Sequence, residues 1–426
     1  MPPVMGTGLF SVRENKPDPI LVGTESEPGP ISLFVPAPVV ASADAALERL
    51  AALAPAGRLA GLGGAQLLTE RAAISGYTSR GTISPGGSCR LLDAADGGIA
   101  LNLARDEDWE LLPAWLECGV APEWDAVAEA VRARAARELV QRGREMGLAV
   151  AADEVSEAIV GGPHGPDPIA AMGRSHKSVF SRKHPRVLDL SSLWAGPLCG
   201  HLLQQLGAEV IKVESPHRPD GARRGPALFF DLLNAGKASV AMDFTADAGR
   251  GQLRRLIEGA DIVIESSRPR ALRQLGVDAA AFAGRRGRVW VGITAYGRAP
   301  ETENWIGYGD DVGVAAGLSA VVRAATGRRV IAGDAIADPL TGIHAALAAW
   351  QAWLGGEGGL IDVSMREVVR RCMNWSPSPI NGKWGRTPIS KSGGWGEPAP
   401  VARHVRAPSG VARALGADTD RILRGP

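Results

Sequence analysis

The spacing of apolar and polar residues changes along the chain and divides it into regions. Residues 1–44 are rich in Pro and Gly without a sustained period, which predicts an extended or poorly ordered segment. Residues 45–155 alternate between helical and strand spacing, which predicts a small α+β domain. We predict a linker at residues 156–185, since residues 161–178 within them have three prolines and no period.

Three stretches carry the clearest patterns in the first half of the chain. The stretch "ADAALERLAALA" has helical apolar spacing. The stretch "GSCRLLDAADGGIALNLA" predicts two short strands around a tight turn at Asp96, Gly97 and Gly98. The stretch "WDAVAEAVRARAARELVQRGREMGL" predicts one amphipathic helix that stops at Gly147.

Residues 186–370 repeat the order strand, helix, strand. The stretches "RVLDLS", "GPLCGHLLQQLG" and "AEVIKVE" form one βαβ unit. Further strands are predicted at "ASVAMDF", "ADIVIES", "RVWVGIT" and "GLIDVSM", with helices at Asp247–Gly259 and Ala271–Gly276. This alternation predicts an α/β fold, an open and mostly parallel sheet with helices on both faces. Residues 371–426 are loop-rich and end in the helical stretch "DTDRILRG".

Composition excludes several classes of protein. The 426 residues are 45% hydrophobic and 22% charged, as in ordinary soluble domains with a large core. A net charge of +1 gives no overall attraction to nucleic acid or membrane lipid. The chain shows neither a signal-peptide pattern nor an apolar run of membrane-spanning length, so we expect a cytoplasmic protein. The cysteines are too widely spaced for a disulfide framework or a zinc site, and free thiols are expected at Cys89, Cys118, Cys199 and Cys372.

The first candidate for chemistry is the turn after the first strand of the βαβ unit. Ala195, Gly196 and Pro197 open a helix there, at the sheet edge where open α/β proteins bind ligands. The turn lacks the G-x-G-x-x-G pattern of dinucleotide-binding proteins. A tight turn that only packs helix against strand explains these three residues equally well.

The second candidate is a series of cations near the ends of later strands. Arginine and lysine pair well with phosphate, so a polyanionic ligand lying across the strand ends would need them. A solvated surface explains any one of them, but their recurrence after successive strands favours the ligand. The residues concerned are Arg218, Arg223, Arg224, Lys237, Arg268, Arg270 and Arg273.

The third candidate is Asp338 in "ADPLTGIHAALAAW", where an alanine-rich helix is predicted to begin. Asp at the N-cap followed by Pro339 at the first helical position is a common helix start, so capping by itself explains the residue. His344 lies six positions further on, more than one helical turn away. We therefore do not expect His344 to form an acid–base pair with Asp338.

Several motifs in this order resemble those of the class III CoA-transferases, which include formyl-CoA and carnitine CoA-transferases. The motifs are "DLSSLWAGP", "LGAEVIKVES", "NAGKASVAMDF", "ESSRPRALRQLG", "IGYGDDVGVAAGL", "ADPLTG" and "IDVSM". Order and spacing agree over residues 187–367. The family's small domain resembles "RLLDAADGGIALNLARDEDWELLPAWL", which here precedes the CoA-binding domain instead of following it.

The resemblance implies a role for Asp338. In the family, the Asp of Ala-Asp-x-x-Thr-Gly attacks an acyl-CoA and then carries coenzyme A as an aspartyl thioester. With an ordinary pKa of about 3.9, a carboxylate needs no general base, and a helix N-terminus would stabilise its charge by roughly 0.3–1 kcal/mol. Backbone amides of Gly86 and Gly87 could stabilise the oxyanions, although a simple hairpin turn explains that pair equally well.

The resemblance also implies the ligand and the partners. Coenzyme A would be a substrate, as acyl-CoA donor, with a carboxylic acid as acceptor, no tightly bound cofactor and no metal. Relatives are interlocked homodimers, and a homodimer is expected here. Eight residues match or approximate the family's CoA contacts: Ala195, Gly196, Pro197, Met242, Thr245, Ser266, Ser267 and Arg273.

Two alternatives to transfer stay open at this point. The family also contains acyl-CoA racemases, whose catalytic His lies in a Gly-His-Asp segment where this chain has Gly307, Tyr308 and Gly309. Tyrosine, with a pKa of about 10, is a poor base at neutral pH, so racemisation is the second choice. The changed domain order and Ser266 and Ser267, which replace the usual Asn-Phe, could instead mark a protein that binds coenzyme A without turnover. The donor and acceptor acids are not predicted by the sequence.

Overall fold

A computed structural model describes most of the chain. The described residues are 33–154 except 56, 169–172, 184–373 except 287 and 357, 379–380, 383–384 and 405–424. Most of the segment predicted to be extended (residues 1–32 of 1–44) and much of the predicted linker lie outside these residues.

The centre of the fold is a seven-stranded sheet in the order β4-β10-β9-β8-β5-β6-β7. Six strands are parallel, and β4 pairs antiparallel with β10 at one edge. The strands are β4 (Ile169–Met172), β5 (Arg186–Asp189), β6 (Glu209–Glu214), β7 (Ala238–Ala241), β8 (Ile262–Glu265), β9 (Val289–Thr294) and β10 (Gly359–Ser364). The predicted α/β fold is confirmed. The edge strand β4 was not predicted, since it falls within the stretch interpreted as a linker.

Helices cover both faces of this sheet, as predicted. On one face lie α1 (Ala37–Ala52), α2 (Gly64–Ser75), α7 (Ala195–Gln205), α8 (Ala227–Asn234), α12 (Gly309–Ala315), α13 (Leu318–Thr326), α14 (Ala337–Leu354) and α15 (Met365–Met373). On the other lie α9 (Asp247–Gly259), α10 (Pro269–Gln274), α11 (Ala279–Arg286) and α16 (Thr419–Arg424).

Successive strand residues enter opposite cores, which explains the continuous apolar runs of these strands. Val187 packs on the α7 and α14 side, whereas the next residue, Leu188, packs on the α9 side. In β9, Val289 and Val291 face the first core and Trp290 faces the second. Strands buried on both faces are a property of parallel sheets.

Helix α1 begins at Ala37, earlier than predicted, so residues 37–44 are helical rather than extended. Both α1 and α2 pack against α14, and their apolar residues belong to the core of the large sheet. Residues of the predicted small domain therefore contribute to the core of the large sheet. The domain boundaries themselves stay a prediction.

The second sheet is antiparallel and has the order β1-β2-β3, with β1 (Cys89–Ala94), β2 (Gly97–Asn102) and β3 (Ala149–Ala152). Ala94 pairs with Gly97, so the predicted hairpin is confirmed, although its turn lies one residue earlier. One face packs on the short helices α3 (Asp106–Glu110), α4 (Leu112–Leu116), α5 (Trp124–Arg132) and α6 (Ala136–Met146). The other face contacts Val314 of α12 and Ile331. The remaining strands, β11 (Pro379–Ile380) and β12 (Lys383–Trp384), pair with each other.

The single long helix predicted up to Gly147 is two helices, α5 and α6. The break has a tertiary cause, because Asp96 of the hairpin accepts a hydrogen bond from the amide of Ala136, 2.7 Å away, where α6 starts. The backbone amide of Ala95 also donates to the carbonyl of Arg134 within the break. The predicted stop is confirmed, since Gly147 follows α6 with a left-handed φ of 80°.

All four cysteines are free thiols, as predicted. Within the described ranges, every helix is too short or too polar to cross a membrane. The same residues bring together no group of three or more His, Cys, Asp or Glu side chains suited to a metal ion.

Candidate active site

Asp338 lies where the N-termini of three helices meet. It is the second residue of α14, whose N-cap is Ile336, so the predicted side-chain cap is wrong. Its carboxylate instead accepts hydrogen bonds from the backbone amides of Ala195 and Gly309, the first residues of α7 and α12. Each helix N-terminus presents unpaired backbone amides and carries partial positive charge, and both stabilise a negatively charged carboxylate. Asp338 nevertheless keeps part of its surface accessible.

Two glycines make this convergence sterically feasible. At Gly309, a methyl group would overlap both the carbonyl of Ala335 and the carboxylate of Asp338. At Gly342, one turn beyond Asp338, it would lie 2.7 Å from the carbonyl of Ala195. The Thr-Gly pair of "ADPLTG" therefore has a packing reason, because only glycine lets the start of α7 approach α14 here.

Two more carboxylates and one guanidinium surround Asp338. The side chain of Asp310 accepts a 2.8 Å hydrogen bond from the amide of Ala335, which has a left-handed φ of 44°. Arg71 of α2 donates through Nε to Oδ2 of the buried Asp334 at 2.8 Å and through a second nitrogen to Oδ1. We call Asp310, Asp334, Asp338 and Arg71 the acid cluster.

The acid cluster has one positive group against three carboxyl groups. Burial raises the pKa of Asp338 to about 6, and Arg71 and the two backbone donors oppose that rise. Burial, together with the charge of Asp334, raises the pKa of Asp310 to about 7. The expectation of an ordinary pKa at Asp338 is therefore wrong. About nine in ten Asp338 carboxyls are still ionised one pH unit above that pKa, so the carboxylate form predominates at neutral pH.

The small sheet is joined to this site through α12. Asp311 accepts hydrogen bonds from the side-chain amide of Asn102 in β2 and from the backbone amide of Tyr308, both at 2.9 Å. Asp311 is fully enclosed, and burial raises its pKa to about 7. Asn102 thus anchors the small sheet on the helix whose first amide holds Asp338.

The predicted Ala-Gly-Pro turn is buried. The amide of Ala195 is directed to Asp338, and Gly196 packs so closely on Ser191 that a methyl group would not fit. The carbonyl of Pro197 accepts a 2.8 Å hydrogen bond from Nζ of Lys237. The turn thus builds the Asp338 site, and its contact with a nucleotide stays a prediction.

Three of the predicted phosphate-binding cations are engaged in ion pairs. Lys237 is 1% exposed and lies 2.9 Å from Asp189. Arg223 makes two hydrogen bonds to Glu214, and Arg273 pairs with Glu303 at 2.7 Å. Lys237 is enclosed and cannot meet a ligand on the surface, so the interpretation of this lysine as a phosphate donor is wrong.

The other predicted cations are exposed: Arg218, Arg224, Arg268 and Arg270. Partial burial, followed by repulsion from Arg270, Arg105 and Arg218, lowers the pKa of Arg268. Arginines from the ends of β6 and β8 and from the loop after β2 therefore act on one another electrostatically. They form a positive surface, within which Arg105 is paired with Asp108.

The remaining predicted CoA contacts are dispersed. Met242 is buried in the core beside α9, and Thr245 donates both its backbone amide and its hydroxyl to Asp243. Ser266 is exposed and accepts a 3.3 Å hydrogen bond from a backbone amide, and Ser267 donates to Glu265 at 2.9 Å. Their roles toward coenzyme A stay predictions.

The structure also gives the surroundings of His344, Gly87 and Tyr308, which the sequence had raised as candidates. His344 contacts Sγ of Cys372 through Nε2 at 3.3 Å, in line with its expected separation from Asp338. The amide of Gly87 donates to the carbonyl of Ser84, which is the bond of a simple turn. Burial raises the pKa of Tyr308, so even less of its hydroxyl is ionised to the basic phenolate at neutral pH than expected.

Sequence reasoning missed Arg71, Asp310, Asp334 and Asn102. Asp310 follows directly on the Gly-Tyr-Gly segment and could have been noticed as a second acid beside it. Arg71 carries no local signal, because one arginine in a helical stretch normally faces solvent.

Comparisons with known proteins agree with the motifs. The family model for CoA-transferase family III matches residues 183–424. A succinyl-CoA–D-citramalate CoA-transferase from Chloroflexus aurantiacus is 30% identical over 44% of this chain and 50% of its own length. A succinate–glutarate CoA-transferase from Agrobacterium fabrum is 31% identical over 44% of this chain and 52% of its own length.

A crystal structure of a CAIB/BAIF family protein from Brucella suis aligns with a TM-score of 0.40 and 29% identity, covering 44% of this chain and 53% of that one. The chain spans about half the length of the curated relatives it matches.

Proposed function

Because the chain belongs to CoA-transferase family III, we propose that it moves coenzyme A from an acyl-CoA donor to a carboxylic acid through a thioester on Asp338. The observation that carries this proposal is the setting of Asp338. A partly accessible carboxylate lies among three helix N-termini and accepts hydrogen bonds from the amides of Ala195 and Gly309.

The first half-reaction uses the carboxylate as nucleophile. An oxygen of Asp338 attacks the thioester carbonyl, the carbon–sulfur bond breaks, and CoA thiolate leaves behind a mixed anhydride. The thiolate then attacks the Asp338 carbonyl carbon, and the donor acid departs as a carboxylate. Coenzyme A is now held on Asp338 as a thioester, and no proton has been transferred.

The second half-reaction reverses these steps with another acid. The acceptor carboxylate attacks the Asp338 carbonyl, thiolate leaves, and the thiolate then attacks the acceptor's carbonyl to release acyl-CoA and the free Asp338 carboxylate. The amides of Ala195 and Gly309 already donate to this group. They are positioned to stabilise negative charge on its oxygen in the tetrahedral intermediates that form at the Asp338 carbonyl carbon, an effect that is often worth several kcal/mol.

Coenzyme A is a substrate in this proposal, with no tightly bound cofactor. The positive surface that includes Arg218, Arg268 and Arg270 supplies donors for its phosphates. We further propose a homodimer in the cytoplasm, for which sedimentation of the purified protein is the direct test of assembly.

Mass spectrometry after incubation with a panel of acyl-CoA donors tests the reaction. We expect a gain of the mass of coenzyme A less water on the peptide that contains Asp338. Hydroxylamine should inactivate the enzyme only when donor is present. The matched control is Asp338→Asn, which should gain no mass.

Other outcomes would point to the alternatives. Deuterium exchange at the α-carbon of a 2-methylacyl-CoA without an adduct would indicate a racemase. A rise in melting temperature with coenzyme A, but neither adduct nor exchange, would indicate a binding protein without turnover.

A further inference from the structure

Arg71 is held in one orientation by two different contacts. Its Nε donates to Oδ2 of Asp334 at 2.8 Å, and a second nitrogen donates to Oδ1. The guanidinium carbon also lies 4.9 Å from the ring centre of Trp194. A bidentate ion pair combined with an aromatic face is a geometry that arginine makes and lysine does not.

Both residues that Arg71 contacts, Trp194 and Asp334, lie in segments that position Asp338. Trp194 is the N-cap of α7 and directly precedes Ala195, whose amide binds the Asp338 carboxylate. Asp334 lies in the segment that enters α14, and its side chain is fully enclosed. Arg71 therefore connects two of the segments that position the carboxylate, and its charge acts on that carboxylate directly.

We propose that Arg71 is a positioning residue of the active site: it joins Trp194 to Asp334, and its positive charge keeps Asp338 ionised for attack on the acyl-CoA. This inference rests on the proposed function for the reaction that it serves. It also brings α2, which precedes the region matched by the family model, into the site.

The charged groups around Asp338 make this role specific. Asp310 approaches from α12 and Asp334 from the segment before α14, and both oppose ionisation of Asp338. Arg71 is the cation among the described residues that acts most strongly in favour of it.

Glu70 of α2 and His201 of α7 both contact Arg406 rather than Asp338 or Arg71. Arg406 donates to both oxygens of Glu70 on α2 and contacts Nε2 of His201 on α7 at 2.8 Å. Burial, together with Arg406, lowers the pKa of His201 to about 3, so this histidine is neutral. Loss of Arg71 would thus leave three carboxyl groups without a nearby compensating cation from these helices.

A thermodynamic cycle tests the charge effect without any turnover. The folded-state pKa of Asp338 is raised to about 6 from 3.8, so its ionisation destabilises the folded protein. The free energy of unfolding of Asp338→Asn should exceed that of wild type by an amount that grows between pH 3.8 and about pH 6 and then stays constant. When both proteins also carry Arg71→Met, this stability difference should continue to grow up to a pH that is about one unit higher or more. We call the pH at which the difference stops growing the upper limit.

Three further variants separate charge from simple loss of structure. Arg71→Lys should shift the upper pH limit of the stability difference less than Arg71→Met does. Arg71→Met combined with Asp334→Asn should return this limit towards the wild-type value, because the two substitutions remove one charge of each sign. Arg49→Met, an exposed arginine on α1, should shift nothing. An unchanged limit in the Arg71→Met background would overturn the proposal.

The rate of adduct formation provides the second readout. The rate of adduct formation by Arg71→Met should fall about fivefold or more near pH 6, recover towards wild type near pH 8.5, and show an unchanged KM for acyl-CoA. A loss of equal size at every pH would indicate a structural role and overturn the proposal. If wild type forms no adduct, the proposed function fails, and the stability cycle still decides the role of Arg71.

Discussion

Two buried groups of charged residues lie on the α7 side of the large sheet, and they differ in charge balance. The first, which we call the lysine network, consists of Asp189, Lys212, Asp220 and Lys237. Nζ of Lys237 lies 2.9 Å from Asp189, and Nζ of Lys212 lies 2.8 Å from Asp220. Although burial acts in the opposite direction, the two lysines hold the pKa of Asp189 below its ordinary value.

The acid cluster around Asp338 has three carboxyl groups for one arginine. There, burial raises the pKa values of Asp310 and Asp338 to about 7 and about 6. Equal numbers of opposite charges hold Asp189 in its ionised form in the lysine network, whereas the excess of carboxyl groups in the acid cluster leaves groups whose protonation changes near neutral pH. Shifted carboxyl groups in an accessible position are typical of catalytic sites.

The largest expected effect is on catalysis at Asp338. Asp338→Asn should lower CoA exchange by several orders of magnitude, because an amide cannot form the anhydride. Stability at pH 7 should stay equal or rise, since the ionised carboxylate destabilises the folded state when its pKa is raised. Exchange assays and urea unfolding measure the two quantities. Turnover retained by this variant would exclude Asp338 as the nucleophile.

The second expected effect is on stability, in the lysine network. Lys237→Met should destabilise the protein by about 3–5 kcal/mol, because it leaves the enclosed Asp189 without its partner. Urea unfolding would measure this change, with the exposed Arg224→Met expected within about 0.5 kcal/mol of wild type. Weaker coenzyme A binding with unchanged stability would contradict the structural role and favour the ligand-binding role predicted from sequence.

The smallest expected effect is at His344. His344→Ala should keep acyl transfer within a few-fold of wild type, because His344 lies six positions beyond Asp338 and its described contact is with Cys372 of α15. Steady-state rates with the best donor from the panel would measure it. A loss as deep as that of Asp338→Asn would instead support an acid–base role and a racemase-like reaction.

Much of the fold was determined by local sequence. The runs "RVLDLS" and "RVWVGIT" are apolar on both faces, and this pattern is sufficient to predict buried parallel strands. Asp338 was likewise singled out by its local pattern at a predicted helix start, although the role predicted for it came from the family resemblance alone. The physical reason is that backbone spacing and side-chain size act over a few residues, and both are visible in the sequence.

The partners of each charge were decided only by tertiary structure. Asp338 does not cap its helix because the segment before it is bent, with Asp310 of α12 holding the amide of Ala335. Lys237 is enclosed because the fold brings it to Asp189 on another strand.

Arg71 belongs to the site only because α2 packs against α14. Electrostatic pairing depends on distance in space, and residues far apart in the chain leave no local pattern from which that distance can be predicted.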